Sequence, residues 1–343
     1  MTQGIGGLWD VPVLVAPMAG GPTTPQLVAA GCDSGGFAFV AGAYRSAAQV
    51  EEDIRALRGL TPRPFGVNVF CPGPHTADVE AVQRYVDELI PEAERLGVEL
   101  GRPARDDDDW HAKLALLIDT APAVSSFAFG CPEAATMAAL QRSGSLVMVT
   151  VTNADEASLA VERGVDVLCA QGIEAGAHRG TFDDTAADDE LTVVDLVAAI
   201  ATRHRVPIVA AGGISTPARV EAAFRADAVA VQAGTAFLRA DESGASEIHQ
   251  AALVDPRFST TAMTRAFTGR RARGLVNAFL RRHPEAPSAF PEIHYVTRPL
   301  RVAATRLGDA DSVNLWAGTG HRDARAEPAA AILDWLASGV PSS

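Results

Sequence analysis

Three features of this 343-residue chain predict an α/β fold, a closed (β/α)8 barrel of the TIM type. Eight short apolar runs recur within residues 1–237, stretches of helical period separate them, and several of those stretches carry recognisable caps. The runs are Val13–Ala16, Gly36–Val40, Phe65–Val69, Ser125–Phe129, Leu146–Thr150, Asp166–Ala170, Pro207–Ala211 and Ala228–Gln232. They are rich in Val, Phe and Ala, as parallel strands buried on both faces are.

Helical patterning occupies Thr24–Ala30, Ala47–Gly59, His75–Leu96, Trp110–Thr120, Pro132–Ser143, Asn153–Arg163, Thr192–His204 and Thr216–Ala223. Asn153 and Thr216 stand at helix onsets and Gly144 and Gly164 just past helix ends, the expected asymmetry of polar N-cap and C-terminal glycine. The acidic run Asp106–Asp109 directly precedes a helix, so it reads as negative charge at the positive end of the helix dipole. Beyond the barrel, residues 238–325 are expected to form a smaller substrate or cap domain. Residues 326–343 are expected to return a helix, Pro328–Leu336, to the barrel. The basic stretch Arg265–Arg273 reads as polar and turn-containing.

Composition sets the class. With 48% hydrophobic and 21% charged residues the chain can bury a large core. Its formal charge of −13 argues against nucleic acid, whose phosphates need clustered cations. Lys113 is the only lysine, which excludes a Gly-Lys-Ser/Thr phosphate loop and a lysine Schiff base elsewhere. Cys32, Cys71, Cys131 and Cys169 have no Cys-x-x-Cys spacing, and the N-terminus lacks a basic segment followed by an apolar one, so a reduced, cytoplasmic protein is expected. No apolar run approaches the roughly 20 residues of a membrane span. No metal is expected, because no metal-ligand spacing occurs. A homodimer is compatible with the sequence.

The segment carrying most chemistry is Gln171-Gly-Ile-Glu-Ala-Gly-Ala-His178-Arg-Gly180, which follows the sixth apolar run. Its glycines at 172, 176 and 180 suit positive φ and close approach to a ligand, and His178 can move protons near neutral pH. It reads as a flexible, glycine-lined catalytic loop. The seventh run ends in Ala210-Ala-Gly212-Gly213 and the eighth in Gln232-Ala233-Gly234-Thr235, two amide-rich turns where a barrel commonly holds phosphate. Asn68, Gln171 and Gln232 place amides near strand ends, where a heterocycle rich in donors and acceptors would use them.

Five motifs then coincide: Ala16-Pro17-Met18-Ala-Gly-Gly21, Phe65-Gly-Val-Asn-Val-Phe70, Gln171–Gly180, Ala210–Ile214 and Gln232–Thr235, with Thr264–Gly274 and Asn314–Gly320 beyond the barrel. In these the chain resembles the nitronate monooxygenases, formerly 2-nitropropane dioxygenases. The resemblance implies an FMN-binding barrel. Backbone at Ala16, Pro17 and Met18 would lie against the flavin ring, and Asn68, Gln171, Gly176, Gly180, Gly212, Gly213, Gln232, Ala233, Gly234 and Thr235 would contact FMN. It also implies that His178 removes the α-proton of nitroalkanes or helps hold the anionic nitronate. Oxidation with O2 would yield a carbonyl compound and nitrite, a detoxifying reaction.

Tyr44 and Tyr295 are candidates to line the substrate pocket. Ala177 and Thr319 depart from the family pattern, where glycine and glutamine are common, and put substrate choice at issue. His75, His111, His204, His249, His283 and His294 read as helical or solvent-facing imidazoles without a role, while His321 follows the Trp316 motif and is a weaker candidate for the site. The competing readings are an FMN- and NAD(P)H-dependent enoyl-thioester reductase, whose barrel and glycine-histidine loop are similar, and a non-catalytic flavin-binding protein.

Overall fold

The computed structural model describes residues 5–73, 77–187 and 189–341. In chain order its strands are β1 (Val13–Val15), β2 (Phe37–Ala41), β3 (Gly66–Phe70), β4 (Val124–Ala128), β5 (Leu146–Val151), β6 (Val167–Gln171), β7 (Ala177–His178), β8 (Ile208–Ala211), β9 (Ala230–Ala233), β10 (Thr261–Thr264) and β11 (Ala272–Leu275). Eight of them, β1 to β6 with β8 and β9, form a closed parallel barrel. Leu14 opposite Gln232 helps register the closing β1–β9 pair. The barrel strands fall within one or two residues of the eight apolar runs.

Side-chain alternation explains where the polar residues go. On β2, Phe37 and Phe39 enter the barrel lumen while Ala38 and Val40 pack under the surrounding helices, and on β6 Val167 and Cys169 point in while Leu168 and Ala170 point out. Successive residues of a strand face opposite sides, so Gln171 continues the inward set of β6. By the same parity Gln232 follows Ala230, and Asn68 opposes the outward pair Val67 and Val69. Three amides therefore cap the lumen at its carboxyl end, above a layer of apolar side chains.

The expected caps form. Asn153 Oδ1 accepts the N–H groups of Asp155 and Glu156, Thr216 Oγ1 accepts that of Arg219, and Gly144 and Gly164 take φ of 104° and 91°. The long helix expected over 75–96 is instead two, Val79–Glu88 and Ile90–Leu96, because Pro91 lacks the N–H that would continue the first helix's ladder and sits instead in the first turn of the second. His75 lies outside the described residues. The acidic run is also different from expectation. Asp109 sits at φ 56° and its side chain makes no cap to the helix Trp110–Thr120. Asp108 accepts the Tyr44 N–H at 2.8 Å and pairs with the buried Lys113 ammonium at 2.7 Å. Asp109 accepts the Ala47 N–H at 2.8 Å. These carboxylates tie the loop after β2 to the segment before the helix.

A second hydrophobic cluster sits apart from the barrel layers. It joins Tyr85 and Leu96 from the two short helices, and Leu89 between them, to Phe258, Phe267, Phe279, Ile293, Val296 and Leu315. The Tyr85 hydroxyl donates to Ala266 O at 2.7 Å across 181 positions of sequence. Strands β10, β11 and β7 form a small antiparallel sheet that links this cluster to the loop after β6. The final helix, Ala329–Ala337, buries Ile332, Leu333 and Leu336 in the core around the barrel. No described helix is long and apolar enough to cross a membrane.

Candidate active site

A cavity of about 1010 Å³ opens at the carboxyl end of the barrel, and all the site residues anticipated from sequence except the weaker candidate His321 line it. They are Ala16, Pro17 and Met18 after β1, Tyr44 after β2, Asn68 on β3, Gln171, Gly176, His178 and Gly180 from β6 onward, Gly212 and Gly213 after β8, Gln232, Ala233, Gly234 and Thr235 around β9, and Tyr295. Their convergence follows from the barrel itself, which brings all strand ends to one face.

The loop after β6 is not the free glycine loop that its composition suggests. Residues 177–178 pair with β11, Ala272 opposite His178 and Arg273 opposite Ala177. Gln171 spans the loop from within, its Nε2 donating to His178 O at 3.1 Å and its Oε1 accepting the Gly180 N–H at 2.8 Å. None of Gly172, Gly176 and Gly180 has positive φ; they are needed for space. A Cβ on Gly176 would lie 2.4 Å from Gly318 N. The left-handed residue is Ala177, at φ 62°, one of the two departures from the family pattern. The other, Thr319, is exposed and binds Glu174 O through its N–H at 3.0 Å.

His178 is half-buried in an aromatic enclosure of Phe129, Phe290 and Trp316, with ring centroids 5.7, 5.8 and 5.6 Å away. Its Nε2 lies 2.9 Å from Thr268 Oγ1, and that hydroxyl is 3.3 Å from Arg270 O. Donation from Nε2 to Thr268 and from Thr268 to the carbonyl is a consistent chain, which leaves Nδ1 as a free acceptor. Burial, reinforced by the cations Arg270 and Arg301 against the pull of Asp184, lowers the imidazole from its ordinary value to about 3. The imidazole is therefore neutral at physiological pH.

The basic stretch 265–273 is structural wiring for this site. Arg270 is buried, stacks over Phe129 at 3.8 Å, and donates to Arg179 O and Thr181 O. Arg265 and Arg271 converge on the buried Asp184 carboxylate at 3.0 and 3.2 Å, and Arg273 donates to Ile173 O at 2.9 Å. Sequence reasoning missed these partners, along with Thr268 and Phe290, since no local pattern links them to residues 171–180.

The remaining histidines divide differently from expectation. His249 is buried at the cavity edge, 2.9 Å from Trp316 O, and burial lowers it to about 4. His294 is buried, stacks on Tyr44 at 4.4 Å, and is lowered to about 2 by burial and then by Arg301. His283 is buried against Glu88 at 2.8 Å. None of the three is a solvent-facing imidazole. His321 is buried too, 3.2 Å from Phe258 O, and is absent from the cavity wall. Tyr295 donates its hydroxyl to Asp106 at the cavity mouth.

Residues 7–338 match the family model for nitronate monooxygenase. The chain is 37% identical over 338 residues to the nitronate monooxygenase of Paraburkholderia phytofirmans, covering 95% of this chain and 91% of that protein. It belongs to the nitronate monooxygenase family. Membership makes it an oxidoreductase of the monooxygenase class. A Pseudomonas aeruginosa nitronate monooxygenase is 38% identical over 335 residues, 95% of each chain. Among solved structures, nitroalkane oxidase from Streptomyces ansochromogenes superposes with a TM-score of 0.94 at 47% identity, covering 97% of this chain and 96% of that one. FabK from Thermotoga maritima matches at a TM-score of 0.73 and 23% identity, a likeness of fold alone.

The flavin dependence that family membership implies needs a site among the cavity residues. Gln232 Oε1 is buried with no hydrogen-bond donor, and its Nε2 has only a 3.7 Å contact to Cys169 Sγ. Gly212 and Gly213 take φ of 111° and 67°, and at Gly213 a Cβ would lie 3.0 Å from Glu174 Cβ. Asn68 donates to Ser126 Oγ at 3.0 Å and is otherwise open to the cavity. An orphaned acceptor above a glycine-lined cup fits a ligand with a donor-bearing ring and an anionic tail.

Proposed function

We propose that this chain binds FMN in the carboxyl-end cavity and uses dioxygen to oxidise alkyl nitronates, and neutral nitroalkanes after removal of their α-proton, to carbonyl compounds and nitrite. Family membership supports the reaction class, and the amides of Gly212, Gly213, Gly234 and Thr235 suit the phosphate of FMN. Gln232 Oε1 suits a ring N–H, Asn68 and Gln171 would meet other polar ring edges, and Ala16, Pro17 and Met18 offer a wall to its face. Bound FMN would supply the acceptor for substrate electrons and their route to dioxygen.

The observation that carries this reading is the state of His178. A neutral imidazole on the cavity wall, with Nε2 anchored on Thr268 and Nδ1 left as an acceptor, is suited to accept a proton. Phe129, Phe290 and Trp316 pack around the ring and lower its contact with water, which favours the uncharged form. Residues 238–325, packed with the helices of 79–96 into one apolar cluster, would form the substrate-side cap, leaving 1–237 as the cofactor barrel and 326–343 as the returning helix.

The test is oxygen uptake by the purified holoenzyme with ethyl nitronate and nitroethane, without reduced nicotinamide. Both substrates should consume oxygen and release nitrite. His178→Asn should lower the nitroethane rate by about 10²-fold or more, the scale of a lost general base, while retaining FMN and nitronate turnover. No oxygen uptake from either substrate, together with NADH-dependent reduction of an enoyl thioester, would reverse the assignment.

A further inference from the structure

The helix Glu292–Leu307 presents His294, Arg298, Arg301 and Thr305 to the cavity, residues three or four apart that share one face. Most arginines elsewhere in this acidic chain meet carboxylates, as Arg45 meets Asp53 and Arg282 meets Glu92 at 2.6 Å. Among the described residues Arg298, Arg301 and Arg306, all on the cavity wall, have no such partner.

Arg301 is held by one edge only. Its Nη2 donates to His294 O at 2.9 Å and approaches His294 Nδ1 at 3.3 Å, and its Nε lies 3.3 Å from Thr297 Oγ1. Nη1 makes no hydrogen bond to the described residues, and the Arg301 side chain lines the cavity. Close by, the Tyr44 hydroxyl is buried without a partner, its ring fixed against His294 at 4.4 Å. Burial pulls the guanidinium to about 10, so it stays cationic near neutral pH, and its charge reaches His178. A desolvated cation with no counterion is costly, and a role confined to holding Thr297 through Nε and His294 through Nη2 would leave that cost uncompensated.

We propose that Arg301 and Tyr44 form the subsite for the two oxygens of the substrate's nitro group, with Arg298 and Arg306 attracting the anion from solvent. This rests on the nitronate-oxidising reading above and adds the residues that select for charge. A nitronate spreads one negative charge over two coplanar oxygens, a match for a guanidinium edge and a phenol O–H. A neutral nitroalkane places little charge there until His178 takes its proton. Arg301 should therefore act on nitronate binding in the ground state, and on nitroalkanes only as the anion develops.

Steady-state kinetics on the holoenzyme, with nitrate as an inert planar anion in calorimetry, test this. Arg301→Met should raise KM for ethyl nitronate about tenfold or more, the scale of a hydrogen bond to a charged group. For nitroethane it should lower kcat by a similar factor with KM little changed. Nitrate should bind wild type competitively with nitronate and bind Arg301→Met about tenfold more weakly, with Arg301→Lys between the two. Should the methionine variant fail to fold, Tyr44→Phe and Arg301→Lys carry the test through nitrate affinity at unchanged thermal midpoint. Equal KM changes for both substrates, or nitrate binding that is absent in wild type or indifferent to Arg301, would overturn the proposal. If wild type consumes no oxygen with either substrate the functional reading falls, while the Arg301 dependence of nitrate binding still decides the anion subsite.

Discussion

At the scale of single residues, Ala177 shows how a site can hold strain beside its base. A left-handed alanine costs roughly 1 kcal/mol or more relative to glycine, because its Cβ crowds the following carbonyl. Ala177 occupies that conformation at φ 62° while pairing with Arg273, so β11 holds it there. Ala177→Gly should be neutral or stabilising by up to about 1 kcal/mol, unlike most alanine-to-glycine changes, because relief of φ strain offsets the freedom gained by the unfolded chain. Denaturant midpoints measure it, and a loss exceeding about 1 kcal/mol would contradict the strain. The same residue places His178 with its imidazole in the aromatic enclosure, so backbone strain and proton chemistry sit on adjacent positions.

At the scale of elements, the loop before the helix Trp110–Thr120 does more than start a helix. Asp108 links the Tyr44 N–H to Lys113, and Tyr44 itself stands at φ 63°. Lys113 is 1% exposed, so removing it strands a carboxylate in a poorly solvated place. Lys113→Met should cost about 3 kcal/mol, as broken buried ion pairs do, and should loosen Tyr44. Adding Asp108→Asn should recover part of that loss, since the uncompensated charge goes with it. A double variant no more stable than Lys113→Met would mean that the pair is not the source of the loss. Here an acidic run with a familiar local explanation is used for a long-range contact, which no helix-capping rule would reveal.

At the scale of the whole molecule, buried neutral histidines link stability to pH. His178, His249 and His294 are lowered to about 3, 4 and 2 by burial, while in the unfolded chain each titrates near 6.5. Below 6.5 the unfolded chain binds protons that the folded one refuses, so folding stability falls as pH drops toward those lowered values. Each imidazole can contribute up to about 1.4 kcal/mol per pH unit across that window. The unfolding midpoint should fall steadily from pH 7 to pH 5, and His249→Gln should flatten the slope. A midpoint at pH 5 equal to that at pH 7 would show that these rings are solvated.

The elements of this barrel were legible because their signals are local. Val, Phe and Ala runs mark strands, Asn153 and Thr216 accept hydrogen bonds from amides two or three residues away, and the glycines after β8 and β9 mark turns that barrel closure must bring together. For the same reason the sequence alone pointed to His178, the glycine cup and the three lumen amides as one site. Tertiary structure decided what surrounds them. Thr268 meets His178 across 90 positions, Arg270 stacks on Phe129, and Arg301 is left with an open edge. Whether a histidine is solvated, a carboxylate caps or clamps, or an arginine is paired depends on which distant segments exclude water from it. Periodicity and spacing carry no record of those contacts, because burial is a property of the closed fold and not of any segment within it.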